Sequence, residues 1–250
     1  AAAAKTLQRL LPLAAHHKSF ADDGNRMSVE VLHTAFWLPL YTRITGKSGA
    51  GDVEGWCYRI LGSLAEHFPI YVHGIRAGTI YAGKGPTSLY ATLVACLHPT
   101  KKPSCTSGLA AGALDGLNTL LITLPEALSS DNPLSSEDLR QLYMIVKHWV
   151  TREPGERHAA HLAALRLYTR HMQSLLGDRA AADLENMWST LLALCKHKNA
   201  ELRRHGKAAL TAVVRAATRL MVNPRANEGV RLYDFVYAQA EVLLKRTTTG

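Results

Sequence analysis

Apolar side chains recur at helical spacing from one end of the chain to the other, whereas the apolar and polar alternation of β-strands is almost absent. One face of a helix returns every three or four residues, so this pattern predicts an all-α fold. Asn199 is the predicted N-cap of the clearest helix, because Asn oxygens accept the first unpaired backbone N–H groups. That helix carries the apolar stripe Leu202, Ala209, Val213, Ala217 and Leu220.

Similar stripes flank this helix on both sides, which indicates three amphipathic helices in a row. The preceding stripe is Leu184, Met187, Trp188, Leu191, Leu192 and Cys195. The following stripe is Tyr233, Val236, Tyr237, Ala240 and Leu244. The four tryptophans also stand within apolar patterns, and we expect all of them in the core: Trp37, Trp56, Trp149 and Trp188.

Short polar, glycine or proline breaks separate the helical stretches, and connections this short make neighbouring helices antiparallel. The breaks are 196–199, 223–227, 177–178, Gly155, 129–136, Pro125, Pro103 and 46–51. They mark units of about forty residues, the period of HEAT-type helix pairs. We therefore expect an alpha-alpha superhelix of about ten helices. Residues 1–250 would form one helical-repeat segment of a longer array, with 1–4 a scar or placeholder sequence.

The glycine-rich stretch from Ile70 to His98 is ambiguous. A short strand could form from Tyr71, Val72, Ile75 and Ile80, but we expect helix with a loop from Gly83 to Pro86. The run from Gly78 to Gly85 has the glycines and lysine of a phosphate-binding loop but lacks its hydroxyl residue. Gly46-Lys47-Ser48 lacks the first glycine. Structural loops are the preferred interpretation of both runs, and a nucleotide cradle is the alternative.

Composition narrows the compartment and the kind of partner that such a protein would have. Hydrophobic residues make up 47% of the chain, enough for a sizeable core, and four widely spaced cysteines form no CxxC pair. This usage predicts reduced thiols in an intracellular protein. No apolar run approaches the roughly 18 residues that a membrane span needs, and no signal peptide is evident. The net charge of +9 favours a polyanionic partner.

No catalytic or metal constellation stands out. Three pairs could share a metal, namely His158 with His161, Glu201 with His205, and Cys195 with His197. Pairs are too few for zinc, so we interpret these histidines as helix-surface residues and expect no metal or cofactor. The chain has no nucleophile elbow and no kinase motif, and an all-helical enzyme is the least favoured alternative.

One charged surface does stand out. Four residues that we call the basic ridge fall within an arc of roughly 120° opposite the apolar stripe: Arg204, Lys207, Arg215 and Arg219. Lys196, Lys198 and Arg203 add positive charge at its N-terminal end. The basic ridge is either a solvated outer face or a polyanion-binding surface. No aromatic platform accompanies it, so a nucleic acid would be held through its phosphates.

The segment from Leu165 to Val214 resembles the N-terminal HEAT-repeat region of the catalytic subunit of DNA-dependent protein kinase, in the PI3-kinase-related kinase family. The resemblance rests on Leu165-Arg166-Leu167-Tyr168 with His171, Leu191-Leu192-Ala193-Leu194-Cys195, His197, Asn199, Glu201-Leu202-Arg203-Arg204 and Ala209-Leu210. Weaker similarity extends over 109–117 and 139–149, so that 104–246 match best. His205, Gly206 and Lys207 depart from the small apolar residues that the family pattern has there.

The resemblance implies a non-catalytic scaffold segment of a serine/threonine kinase that acts in non-homologous end joining in the nucleus. Its implied partners are double-stranded DNA ends, the Ku heterodimer and the remainder of its own kinase chain. A general HEAT or armadillo scaffold for protein interaction, such as a transport or trafficking adaptor, is the alternative from a different class.

Overall fold

The computed structural model describes residues 2–15, 32–45, 51–67, 86–98, 106–128, 136–152, 158–176, 180–221 and 234–241. Nearly all of these residues are helical and none of them forms a strand, which confirms the predicted all-α class. The helices are α1 (Ala2–Ala15), a π-helix (Leu32–Trp37) that leads directly into α2 (Leu38–Thr45), α3 (Gly51–His67), α4 (Pro86–Leu97), α5 (Ser107–Leu128), α6 (Ser136–Thr151), α7 (Ala159–Leu176), α8 (Ala180–Cys195) and α9 (Ala200–Met221). A short helix, α10, covers residues 234–241.

Consecutive helices pair with each other, α2 with α3, α4 with α5, α6 with α7 and α8 with α9. The second members of the pairs, α3, α5, α7 and α9, then pack side by side in that order and form the tighter of two layers. The first members α4, α6 and α8 contact each other more loosely, and α1 packs on α3. Pairs stacked in sequence order are the architecture of a helical-repeat solenoid, as the sequence predicts.

Within the tighter layer, α3 and α5 run in the same direction. Gly55 of α3 lies beside Gly108 of α5. Closer to the C-terminal end of both helices, Gly62 of α3 lies beside Gly116 of α5. Equivalent helices of successive repeats are parallel in this way because the chain reverses its direction twice between one and the next. No helix in the described part of the chain is both long and apolar enough to cross a bilayer.

The core runs through both layers without a break. The largest fully buried side chains are Trp37, Tyr168, Leu61, Leu64, Leu93, Leu97, Leu114, Leu117 and Leu120. Trp149 and Trp188 are buried as predicted, and the Trp149 indole donates to the carbonyl of Leu97 at 3.3 Å. The prediction is wrong for Trp56, which is only half-buried. Its ring lies under the Arg59 guanidinium, 4.7 Å from the centroid, and not within the apolar core.

Two of the predicted breaks are wrong. Pro125 lies inside α5, which continues to Leu128, and near a helix end a proline removes only one of the last hydrogen bonds. Pro86 is not in a loop but is the first residue of α4, where its missing N–H would be unpaired in any case. Both runs that resemble a phosphate-binding loop, 46–48 and 78–85, lie outside the described residues. The possible strand between Tyr71 and Ile80 also lies outside them.

The last apolar stripe is also wrong in part. Phe235 and Val236 of α10 pack against the core, but Tyr237 is 62% exposed and Ala240 is exposed. The Phe235 ring meets Trp188 edge to face at 5.7 Å between centroids. This aromatic contact turns a different face of α10 inward from the one that the spacing indicates.

Candidate nucleic-acid interface

The N-terminal end of α9 is fixed by a dense set of hydrogen bonds. The Asn199 side-chain oxygen accepts from the backbone N–H groups of Glu201 at 2.9 Å and Leu202 at 3.1 Å, so it is the predicted N-cap. The Asn199 N–H in turn donates to His197 Nδ1 at 3.0 Å. The connector between α8 and α9 therefore has one defined shape.

Arg203 belongs to this structural network and not to the open basic surface. Its Nη1 donates to the carbonyls of His197 and Lys198, both at 2.8 Å, and the residue is half-buried. The guanidinium thus ties the first turn of α9 back to the connector. The charge of Arg203, which is among the basic residues predicted to bind a polyanion, is therefore already used to hold the backbone.

The inward face of α9 is set by close packing against α8. Leu202, Ala209 and Val213 are fully buried, and Gly206 lies in the same stripe. A Cβ on Gly206 would come within 2.9 Å of the Leu194 Cβ. The absence of a side chain at Gly206 thus allows α8 and α9 to approach each other at this point.

The opposite face of α9 carries the basic ridge. Arg204, Lys207 and Arg215 are exposed, and the structure does not describe the side chain of Arg219. Along the helix axis Arg204 and Arg215 are separated by about 16 Å at about 1.5 Å per residue. Thr211 lies between them on the same exposed face, and its hydroxyl donates to the Lys207 carbonyl at 2.9 Å.

The connector extends this positive surface, because Lys196 and Lys198 are both exposed. Glu201 is the acidic residue in the first turn of α9 and also stands in solvent. Long cationic side chains along one exposed helix face can each neutralise a phosphate without reading a base. The arrangement is therefore suited to a polyanion backbone and not to sequence-specific recognition.

A second charged feature, which the sequence did not predict, links three helices of the tighter layer. The Asp115 carboxylate of α5 accepts from Arg59 Nε of α3 at 2.9 Å and from Arg166 Nη2 of α7 at 2.7 Å. Asp115 and Arg59 are about four-fifths buried, whereas the Arg166 side chain is 40% exposed. We call Arg59, Asp115 and Arg166 the charged ladder. Only the stacking of α3, α5 and α7 brings these residues together, so no local spacing in the sequence predicts the ladder.

The histidines near the connector are not all surface residues. His161 of α7 is 5% exposed, so its interpretation as a helix-surface histidine is wrong. Burial, followed by the charges of the neighbouring His158 and His197, lowers the pKa of His161 to about 4, against a hydrogen bond to the Arg152 backbone that raises it. The His158 and His197 rings meet edge to face at 5.6 Å.

The contact of these two rings joins the residue before α7 to the connector between α8 and α9. Among the described residues no group of three His, Cys, Asp or Glu side chains is arranged to hold a metal ion. Of the predicted pairs, Glu201 is exposed while His205 is half-buried, and Cys195 is a half-buried free thiol whose pKa burial raises. Cys57 and Cys96 are buried free thiols.

The family model described as DNA-PKcs, N-terminal matches residues 2–249 of the chain. No curated protein matches the chain. No solved structure matches it.

Proposed function

The chain belongs to the family of DNA-PKcs N-terminal regions, and on this premise we propose that it is a non-catalytic helical scaffold segment that helps to hold a double-stranded DNA end and the Ku heterodimer. The serine/threonine kinase activity of such a protein would reside in another part of the polypeptide. The setting would be the repair of double-strand breaks by non-homologous end joining in the nucleus. The rest of the kinase chain would be a further partner.

The observation that carries the DNA part of the proposal is the row of exposed cations at one end of the stacked pairs. The basic ridge residues Arg204, Lys207 and Arg215 line one face of α9, and Lys196 and Lys198 extend it at the connector. A rigid helix holds the ridge cations in a line, which lowers the entropy lost when phosphates bind. Affinity would come from phosphate neutralisation and would not depend on base sequence.

A salt titration of duplex binding tests this proposal. The chain is mixed with a short fluorescent DNA duplex, and the dissociation constant is measured by anisotropy over a range of salt concentrations. If all five exposed cations neutralise a phosphate, the logarithm of the association constant falls linearly with log[salt] with a slope no steeper than about −4.5. A second duplex of scrambled sequence is expected to give the same affinity. Absence of binding at low salt, or an affinity that salt leaves unchanged, contradicts the proposal.

Binding to Ku is tested separately, since it does not follow from the ridge alone. Purified Ku heterodimer is loaded on a blunt duplex, and the chain is added in sedimentation velocity runs with and without DNA. The proposal predicts a complex that contains all three components. Co-sedimentation with DNA but never with Ku would limit the proposal to the nucleic acid.

A further inference from the structure

The connector between α8 and α9, residues 196–199, is tied down at both of its ends. At its start, the N–H groups of Lys196 and His197 donate to carbonyls in the last turn of α8, both at 3.1 Å. At its end, the Asn199 N–H donates to His197 Nδ1 at 3.0 Å, and the Asn199 side chain caps α9. The side chains of the connector therefore start from fixed backbone positions.

The middle of the connector is held by Arg203 of α9. Its Nη1 donates to the carbonyls of His197 and Lys198, which are neighbours in the chain, at 2.8 Å each. A guanidinium presents its N–H groups in one rigid plane, so a single nitrogen can bridge two adjacent carbonyls. Loss of this side chain would remove the donor from both carbonyls and let the connector take other shapes.

The connector runs along the flank of α9 that adjoins the basic ridge. A Cβ on Gly206 would come within 3.2 Å of the Cys195 backbone nitrogen, so the chain leaves α8 beside the second turn of α9. Arg203 stands four residues before the ridge residue Lys207, and residues at this spacing are neighbours on a helix surface. Because Arg203 reaches the connector carbonyls, the exposed Lys196 and Lys198 lie on the Lys207 side of the helix.

Building on the proposed function, we propose that the connector is a preformed contact loop for the phosphate backbone of duplex DNA, in which Lys196 and Lys198 bind phosphates beside Lys207, and that Arg203 is the positioning residue of this loop. Arg203 acts through the two lysines and not through a phosphate contact of its own. A loop that is already ordered loses less entropy on binding than one that must be ordered by the DNA.

The first measurement asks whether the connector contacts DNA. Duplex affinity is titrated with salt for the unchanged chain, for the variant Lys196→Gln, Lys198→Gln and for Arg9→Gln, Arg140→Gln, which removes the same charge at exposed positions of α1 and α6. Two lost phosphate contacts are expected to make the slope of log K against log[salt] shallower by about 1.8, and the control slope is expected to change less. An unchanged slope in the lysine variant would overturn the contact loop.

The second measurement asks whether Arg203 acts through the lysines. Arg203→Gln is expected to weaken duplex binding by about three- to tenfold in the unchanged chain, and by about twofold or less where both connector lysines are already glutamine. Arg215→Gln removes the same charge from the ridge and is expected to cost the same in both backgrounds. A direct Arg203–phosphate contact, or a general loss of stability, would also cost the same in both. That result for Arg203→Gln would overturn its positioning role.

A second variant, His197→Ala, covers the case in which Arg203→Gln does not fold. It removes the acceptor of the Asn199 N–H without a change of charge, because an Nδ1 that accepts a backbone N–H belongs to a neutral ring. Its cost in affinity is also expected to shrink when the connector lysines are glutamine, and an equal cost in both backgrounds would overturn the preformed loop. Duplex binding by the unchanged chain would then leave the proposed function standing. Failure of the unchanged chain to bind at low salt would overturn both.

Discussion

Gly112 of α5 lies so close to Gly55 of α3 that a Cβ on Gly112 would collide with the Gly55 backbone. The same approach continues along the two helices, where a Cβ on Gly116 would come within 2.7 Å of the Tyr58 carbonyl oxygen. Glycines at these positions let the two helices pack backbone against backbone. The tightest part of the stack therefore depends on the absence of side chains.

This packing predicts that Gly112→Ala destabilises the fold. In an uncrowded helix interior alanine is more stable than glycine by about 1 kcal/mol, so a clash must overcome that preference before any loss is seen. We expect a net loss of about 1–3 kcal/mol in the free energy of unfolding, measured by urea denaturation monitored by circular dichroism. A stabilised Gly112→Ala variant would mean that α3 and α5 are further apart than described.

The ladder through Asp115 predicts unequal coupling to its two arginines. Asp115→Asn leaves Arg59 and Arg166 without their shared carboxylate, and we expect a loss of about 1–2 kcal/mol. In double-mutant cycles with Arg59→Gln and Arg166→Gln, the Arg59 pair is expected to have the larger coupling energy, because Arg59 is less exposed to solvent. Equal and negligible coupling at both arginines would show that the ladder is only a surface feature.

The stacked helix pairs were predictable from sequence because apolar periodicity and short breaks are local signals. Asn199 as N-cap and the buried Leu202, Ala209 and Val213 are confirmed for this reason. Tyr237 was assigned to the wrong face because the contact of Phe235 with Trp188, far away in sequence, decides how α10 is turned. Local periodicity carries no information about such a contact.

Burial of His161 predicts a loss of stability on acidification. The unfolded chain takes up a proton at this residue near its ordinary pKa of 6.5, whereas the folded chain resists protonation until about pH 4. The unfolded state therefore binds more protons in this window, so stability is full above pH 6.5 and falls as the pH drops toward 4. The contribution of His161 is at most about 3 kcal/mol.

Variants separate this contribution from general acid denaturation. His161→Asn retains a side-chain N–H donor but does not titrate, and its unfolding free energy is expected to vary less between pH 6.5 and 4. The same substitution at the exposed His148 is expected to change the profile less. Parallel pH profiles for the unchanged protein and His161→Asn would contradict the assignment of His161 as a buried neutral ring.

The exposure of Arg204, Lys207 and Arg215 follows from the helical projection, so this part of the candidate interface could be derived from sequence. The role of Arg203 could not, because its donors are used by the carbonyls of His197 and Lys198 only once the connector has its final shape. The pattern of positive charges in a sequence can therefore predict which helix face is a candidate binding surface. Whether each of these charges remains available to a partner depends on the backbone groups that folding brings beside it.

Reversing the charge of the basic ridge tests the account most directly. The variant Arg204→Glu, Lys207→Glu, Arg215→Glu is compared with Arg9→Glu, Arg43→Glu, Arg140→Glu, which changes the net charge equally at exposed positions of α1, α2 and α6. Duplex affinity is measured at one salt concentration after circular dichroism has shown equal helix content. The account predicts that the ridge variant loses on the order of a hundredfold or more in affinity and that the control loses far less. Equal losses in both variants, or full DNA affinity in the ridge variant, would contradict it and favour a scaffold that binds proteins alone.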